Sequence, residues 1–121
     1  EEMFRRMVFN VIATNYNDHT KNFAFLLKQG QSWELAPTYD VCYAYDPTNS
    51  WVNQQTLSVN GKHSQITEND LMTIAKTNNI KKAASIIKEM TEVVSNWKTY
   101  ANQANVANEL AELISKNQLK N

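Results

Sequence analysis

The stretch NYNDHTKNFAF, Asn15 to Phe25, sets one acid, one histidine, one lysine and three asparagines directly before an apolar run. Reading it decides the rest of the chain. On its N-terminal side Phe4, Met7, Val8, Val11 and Ile12 recur at three- and four-residue steps, the spacing of an amphipathic helix. On its C-terminal side FAFLL and WELAP flank KQGQS, a turn with Gly30 inside it. Two short apolar runs around such a loop predict a β-hairpin, with Pro37 ending the second strand. The polar cluster is therefore held between a helix and a hairpin.

Beyond the hairpin the chain divides in two. From Thr38 to Ser64 it is turn-rich and aromatic, which predicts an ordered loop with a short strand pair near Gln55 to Asn60. The remainder reads as helix. TEND, Thr67 to Asp70, has the form of a capping box, and Leu71, Ile74 and Ala75 give the following helix one apolar face. A second helix is expected from Ile80 to Trp97 through Ala83, Ile86, Ile87, Met90, Val93 and Val94. A third starts near Asn105 and carries Val106, Leu110, Leu113 and Ile114, ahead of a polar tail expected to fray. Two glycines and two prolines in 121 residues argue for long helices with few turns.

Composition narrows the function. A chain of this length supports one domain with one core. Twelve basic residues balance twelve acidic ones, so no long-range field draws the chain to nucleic acid or to an anionic membrane. No apolar run approaches the ~20 residues that span a bilayer. A single cysteine, Cys42, excludes an internal disulfide and is consistent with a reducing cytoplasm. The chain opens mid-pattern at EEMFRRMVFNVIA without an initiating methionine, as a piece of a longer protein would.

The polar cluster has a plain reading as a turn, because Asn and Asp side chains bond the local backbone and tolerate left-handed geometry. Its spacing offers a chemical one. Protein kinases place a catalytic aspartate five residues before a metal-binding asparagine and a second metal-binding aspartate further on. Asn17 and Asn22 have that spacing, and Asp40 follows the hairpin in LAPTYD. The layout is that of a phosphotransfer loop with an amide at its first position.

These residues carry a resemblance. NYNDHTKNFAFL, WELAPTYDV and LSVNGK, in that order, resemble the C-terminal lobe of HipA-like serine/threonine kinases, the toxins of bacterial toxin–antitoxin modules. The resemblance spans Phe4 to about Trp97 and implies a mainly α fold, a helical kinase-type C-lobe (HipA-like, PI3/4-kinase-like) with a small β-hairpin. It implies ATP- and Mg2+-dependent phosphorylation of a protein Ser/Thr hydroxyl, in the cytoplasm, with a helix-turn-helix antitoxin as partner and no direct contact with nucleic acid or membrane. Carried over by position, Asn22 and Asp40 would bind the metal and the nucleotide phosphates. His19 would orient the catalytic loop, and Lys21 would lie near phosphate or substrate. Asn17 falls where the family has its general-base aspartate, and an amide cannot accept the substrate proton. Asp18 is adjacent but one residue out of register. The family's glycine-rich nucleotide loop and phosphate lysine belong to an N-lobe that these 121 residues do not supply, so this segment alone is expected to be inactive. The alternative is a catalytically silent module that binds nucleotide or antitoxin.

Other conspicuous residues read more plainly. His63 belongs to a surface turn, and Cys42 to a small buried hydrophobe without a catalytic partner. Tyr39, Tyr43, Tyr45 and Trp51 are expected to pack the loop against the helices, and Trp97 to lie in the core.

Overall fold

A computed structural model of the protein describes residues 1–118. Its first helix, α1 (Glu2–Ile12), forms as the apolar spacing requires, and it buries Phe4, Val8, Val11 and Ile12. That stripe lies on α3 (Ala83–Ser95), which offers Ile86, Ile87, Met90 and Val94. Leu71 and Ala75 of α2 (Glu68–Thr77) close the core from a third side, with Val59 and Ile66 from the preceding loop. Each fully buried aliphatic side chain here contributes about 1.5–3 kcal/mol. An ion pair, Arg5 to Glu89 at 2.6 Å, bridges α1 and α3 at the surface.

The capping box is present. The Asp70 carboxylate accepts the Thr67 backbone N–H and hydroxyl, both at 2.8 Å, and so closes the first turn of α2. It also accepts the Asn60 amide at 2.9 Å and the Lys62 ammonium at 3.0 Å. These donors hold its carboxyl well below the usual carboxylate range, with Asn60 the largest cause and Lys62 next. Lys62 of the Gly-Lys pair thus secures a helix start.

The hairpin forms as β1 (Phe25–Leu26) and β2 (Glu34–Leu35), antiparallel, with Phe25 opposite Leu35 and Leu26 opposite Glu34. The strand pair expected near Gln55 to Asn60 is replaced by a tighter feature. Val59 and Lys62 exchange backbone hydrogen bonds at 2.8 and 3.0 Å around Asn60 and Gly61, both at positive φ. A two-residue turn of this kind needs left-handed backbone at both central positions, which Asn and Gly supply.

The C-terminal helices correct the sequence reading. The helix expected to reach Trp97 stops at Ser95, and Trp97 begins a separate helix, α4 (Trp97–Gln103). The last helix, α5 (Asn108–Asn117), starts three residues later than Asn105 and packs on α4. It buries Ala111 and Ile114 but leaves Leu110 and Leu113 exposed, because among the described residues no other element covers that face. Trp97 is half-buried and donates its indole N–H to the Ala111 carbonyl at 2.9 Å. Helices are shorter than glycine content suggests, since asparagine takes glycine's place at their ends. Asn79 and Asn105 adopt φ of 52° and 55° just past α2 and α4. Of the tail, residues 119–121 lie outside the described residues. Among the described residues no helix is long and apolar enough to cross a membrane.

Candidate functional site

Helix α1 delivers the polar loop through a strained exit. Thr14 stands at φ 61°, where a β-branched residue is rarely found, while Asn15 N–H returns to the Asn10 carbonyl at 2.9 Å. The Thr14 hydroxyl, donating to the Asn117 carbonyl at 2.9 Å, and backbone bonds from residues 14 and 16 to Ala44 hold the exit in place.

The next residues form a compact turn. His19 accepts the Asn22 N–H on its carbonyl at 3.0 Å, closing a 3-10 turn over Thr20–Asn22. Two contacts then join this turn to the segment after β2. The Tyr39 hydroxyl donates to the Lys21 carbonyl at 2.7 Å, and the Asn22 amide donates to the Asp40 carboxylate at 2.9 Å. The same amide nitrogen donates to the Asn17 carbonyl at 3.0 Å. Asp40 holds φ 53°, a left-handed conformation that aspartate tolerates better than most residues. Below this end of the hairpin, buried Arg6 donates to the Ala36 carbonyl at 2.8 Å and pairs with Glu2 at 2.9 Å.

The structure therefore brings Asn17, Asn22 and Asp40 together. His19 supplies its backbone to the turn, while its ring Nδ1 is buried without a hydrogen-bond partner among the described residues. Lys21 is exposed on the turn. The Asn17 side chain takes no hydrogen-bond partner among the described residues. Asp18 is buried at the edge of the same cleft as Asn22 and Asp40, and its two carboxylate oxygens accept Gln55 Nε2 at 2.8 Å and the Leu57 N–H at 3.0 Å. Each Asp18 oxygen thus accepts one bond from the 55–57 segment, and the carboxylate stands one residue out of register with position 17.

The sequence of this loop, its hairpin and its helical core all fall within one match. The profile of the HipA-like C-terminal domain covers residues 1–97, most of the chain. The protein belongs to the HipA-like C-terminal domain family. No curated protein and no solved structure matches the chain. The HipA-like region ends at the start of α4, so the α4–α5 pair lies outside it.

The donor set of this HipA-like domain can be tested for a cation. Asp40 offers an exposed carboxylate and Asn22 an amide carbonyl, both hard oxygen ligands suited to Mg2+. As it stands, the Asn22 amide nitrogen faces Asp40 Oδ2, where its partial positive charge takes the direction a cation would occupy. Turning that amide about its last torsion exchanges nitrogen for oxygen. Among the described residues no three His, Cys, Asp or Glu side chains gather to hold a metal by themselves. One carboxylate and one amide oxygen leave most of an octahedral shell to phosphate and water, the usual condition of Mg2+ at nucleotide sites.

Two expectations for nearby residues change. Cys42 is exposed, and partial desolvation together with Asp40 pushes its thiol pKa up, away from thiolate chemistry. The aromatic loop is only partly packed: Tyr16 and Tyr45 meet edge to face at 5.3 Å, whereas Trp51 is 82% exposed. Sequence reasoning missed Gln55, the buried partner of Asp18; no local pattern marks a glutamine that acts across thirty-seven residues.

Proposed function

We propose that this domain is the metal-binding end of an ATP- and Mg2+-dependent protein kinase site, acting on a Ser or Thr hydroxyl of a protein. The observation that carries the reading is the meeting of Asn22 and Asp40 at 2.9 Å, from a turn and a post-hairpin segment eighteen residues apart. Asn22 and Asp40 would hold Mg2+ against the nucleotide phosphates. Bound there, the cation neutralises charge on the transferring phosphoryl group. Asn17, anchored by its carbonyl to Asn22 and with a free side chain, would face the substrate hydroxyl. Lys21, exposed beside the turn, would meet phosphate or substrate, and His19 would keep the loop in shape. By family membership, the protein partner would be a helix-turn-helix antitoxin and the setting a bacterial cytoplasm.

A second reading is favoured by one observation. Residue 17 is an amide, and the neighbouring carboxylate of Asp18 is already committed to Gln55 and Leu57. Without a carboxylate at position 17, the domain would bind Mg2+-nucleotide or antitoxin without transferring phosphate. One experiment separates the two. The whole protein that carries this domain is incubated with labelled ATP and Mg2+, as wild type and as Asn17→Asp. Phosphate incorporation by the variant, well above the wild type, supports the kinase site with a silenced base. No incorporation in either form, with nucleotide binding retained, selects the silent module. Loss of neither binding nor activity on Asp40→Ala would overturn both.

A further inference from the structure

The loop that carries Asn17 is fixed by a segment some forty residues away. Gln55 is 1% exposed, and its Nε2 donates both to Asp18 Oδ2 at 2.8 Å and to the Asn15 carbonyl at 3.3 Å. The Leu57 N–H holds the other Asp18 oxygen at 3.0 Å. Between them, Thr56 donates its backbone N–H and its hydroxyl to the Tyr16 carbonyl at 3.0 and 2.7 Å. Residue 15 is thus tied to Gln55, residue 16 to Thr56, and residue 18 to both Gln55 and Leu57. Residue 17 is the one member of the run with no such tie, and its carbonyl is the acceptor for the Asn22 amide.

The orientation of Gln55 is set by chemistry. Its nitrogen faces a carboxylate oxygen and a carbonyl oxygen; reversing the amide would set three acceptors against one another. Its Oε1 is buried with no hydrogen-bond partner among the described residues, a cost the position accepts to keep both donors on the loop. Gln55 is itself held in place, since its N–H donates to the His63 carbonyl at 2.8 Å and its own carbonyl meets His63 Nδ1 at 2.9 Å.

We infer that Gln55 and Asp18 are positioning residues for the Asn22–Asp40 pair: they fix residue 17, whose carbonyl holds the Asn22 side chain beside Asp40, the position from which its amide turns to offer oxygen to the cation. The inference rests on the reading of Asn22 and Asp40 as the metal-binding end. A ligand's hydrogen-bonded supports typically matter about 10–100-fold in metal affinity, and the same scale applies here.

The test uses the full chain labelled with nitrogen-15, in which the Asn22 side-chain amide is assigned by its disappearance in Asn22→Asp. Gln55→Glu sets a carboxylate against Asp18, and Asp18→Asn sets its amide nitrogen against either Gln55 Nε2 or the Leu57 N–H. Each alone is expected to shift or broaden the Asn22 amide resonances. Each should also weaken Mg2+-ADP binding by the whole protein roughly ten-fold or more. The pair Asp18→Asn with Gln55→Glu reverses donor and acceptor, restores one hydrogen bond, and should bring both readouts back toward wild type. Unmoved Asn22 resonances in folded single variants would overturn the inference, as would a pair no closer to wild type than the worse single. Should Gln55→Glu fail to fold, Gln55→Met removes both donors without adding charge and is read the same way. If wild type binds no Mg2+-ADP, the functional reading falls, while the Asn22 resonances still decide the brace.

Discussion

The α1–α3 core and the loop from Asn15 to Ser64 are built on opposite principles. The core is held by apolar packing that many side chains share, with Val8, Leu71 and Ile86 each at 1% exposure or less. The loop contains little regular structure and is held by individual polar contacts: Asp18 to Gln55, Tyr16 to Thr56, Asn22 to Asp40. Packing tolerates small errors in direction and not in volume. A hydrogen bond to a carboxylate fixes direction, which the metal site proposed for Asn22 and Asp40 requires. The molecule thus uses its core for stability and its loop for geometry.

The contrast breaks most strongly in the core. Leu71→Ala empties a fully buried position between α1, α2 and α3, and the expected cost is about 2–5 kcal/mol. Urea unfolding of the chain measures it. A loss below about 1 kcal/mol would mean that the loop, not the helical core, supplies the stability.

That division also explains what the sequence disclosed. Helical spacing exposed α1 through Val8, Val11 and Ile12, and α2 through its capping box and Leu71, because core contacts leave a periodic record. Helix α4 escaped: it follows α3 directly at Asn96 and offers only Trp97, Tyr100 and Ala101 as apolar marks over seven residues. Its boundary was invisible, and so was the exposure of Leu110 and Leu113, which depends on what fails to cover α5. In the loop, Asn22 and Asp40 could be read from local spacing and order. Gln55 could not, because a buried polar contact across the chain leaves no period.

The next effect is confined to acid. Asp70 accepts Asn60, Lys62 and Thr67 in the folded state, which depresses its pKa below the unfolded carboxylate value of about 3.9. A group of this kind contributes its full stability above that value and loses it as pH falls through the folded pKa. Thermal melts from pH 6 downward should therefore lose stability below about pH 4, and Asp70→Asn should flatten that part of the profile. An Asp70→Asn chain with the wild-type acid profile would remove Asp70 as the cause. This contact belongs to both regions, since it ties the Asn60–Lys62 turn to the first turn of α2.

The smallest expected change in stability falls where the largest change in binding is expected. Asp40 is exposed, and among the described residues its side chain bonds only Asn22. Its backbone at φ 53° costs a non-glycine residue some strain, which glycine would relieve. Glycine also enlarges the freedom of the unfolded chain, at a cost of roughly 0.5–1 kcal/mol. The two terms oppose one another at similar size, so Asp40→Gly should unfold within about 1 kcal/mol of wild type in urea. The same substitution removes the one carboxylate proposed to hold Mg2+, and nucleotide binding by the whole protein should lose its Mg2+ dependence. Stability unchanged with binding lost is the mark of a residue kept for its charge and direction. A marked loss of stability would instead make the Asn22–Asp40 contact a structural clasp, and the polar loop a turn after all.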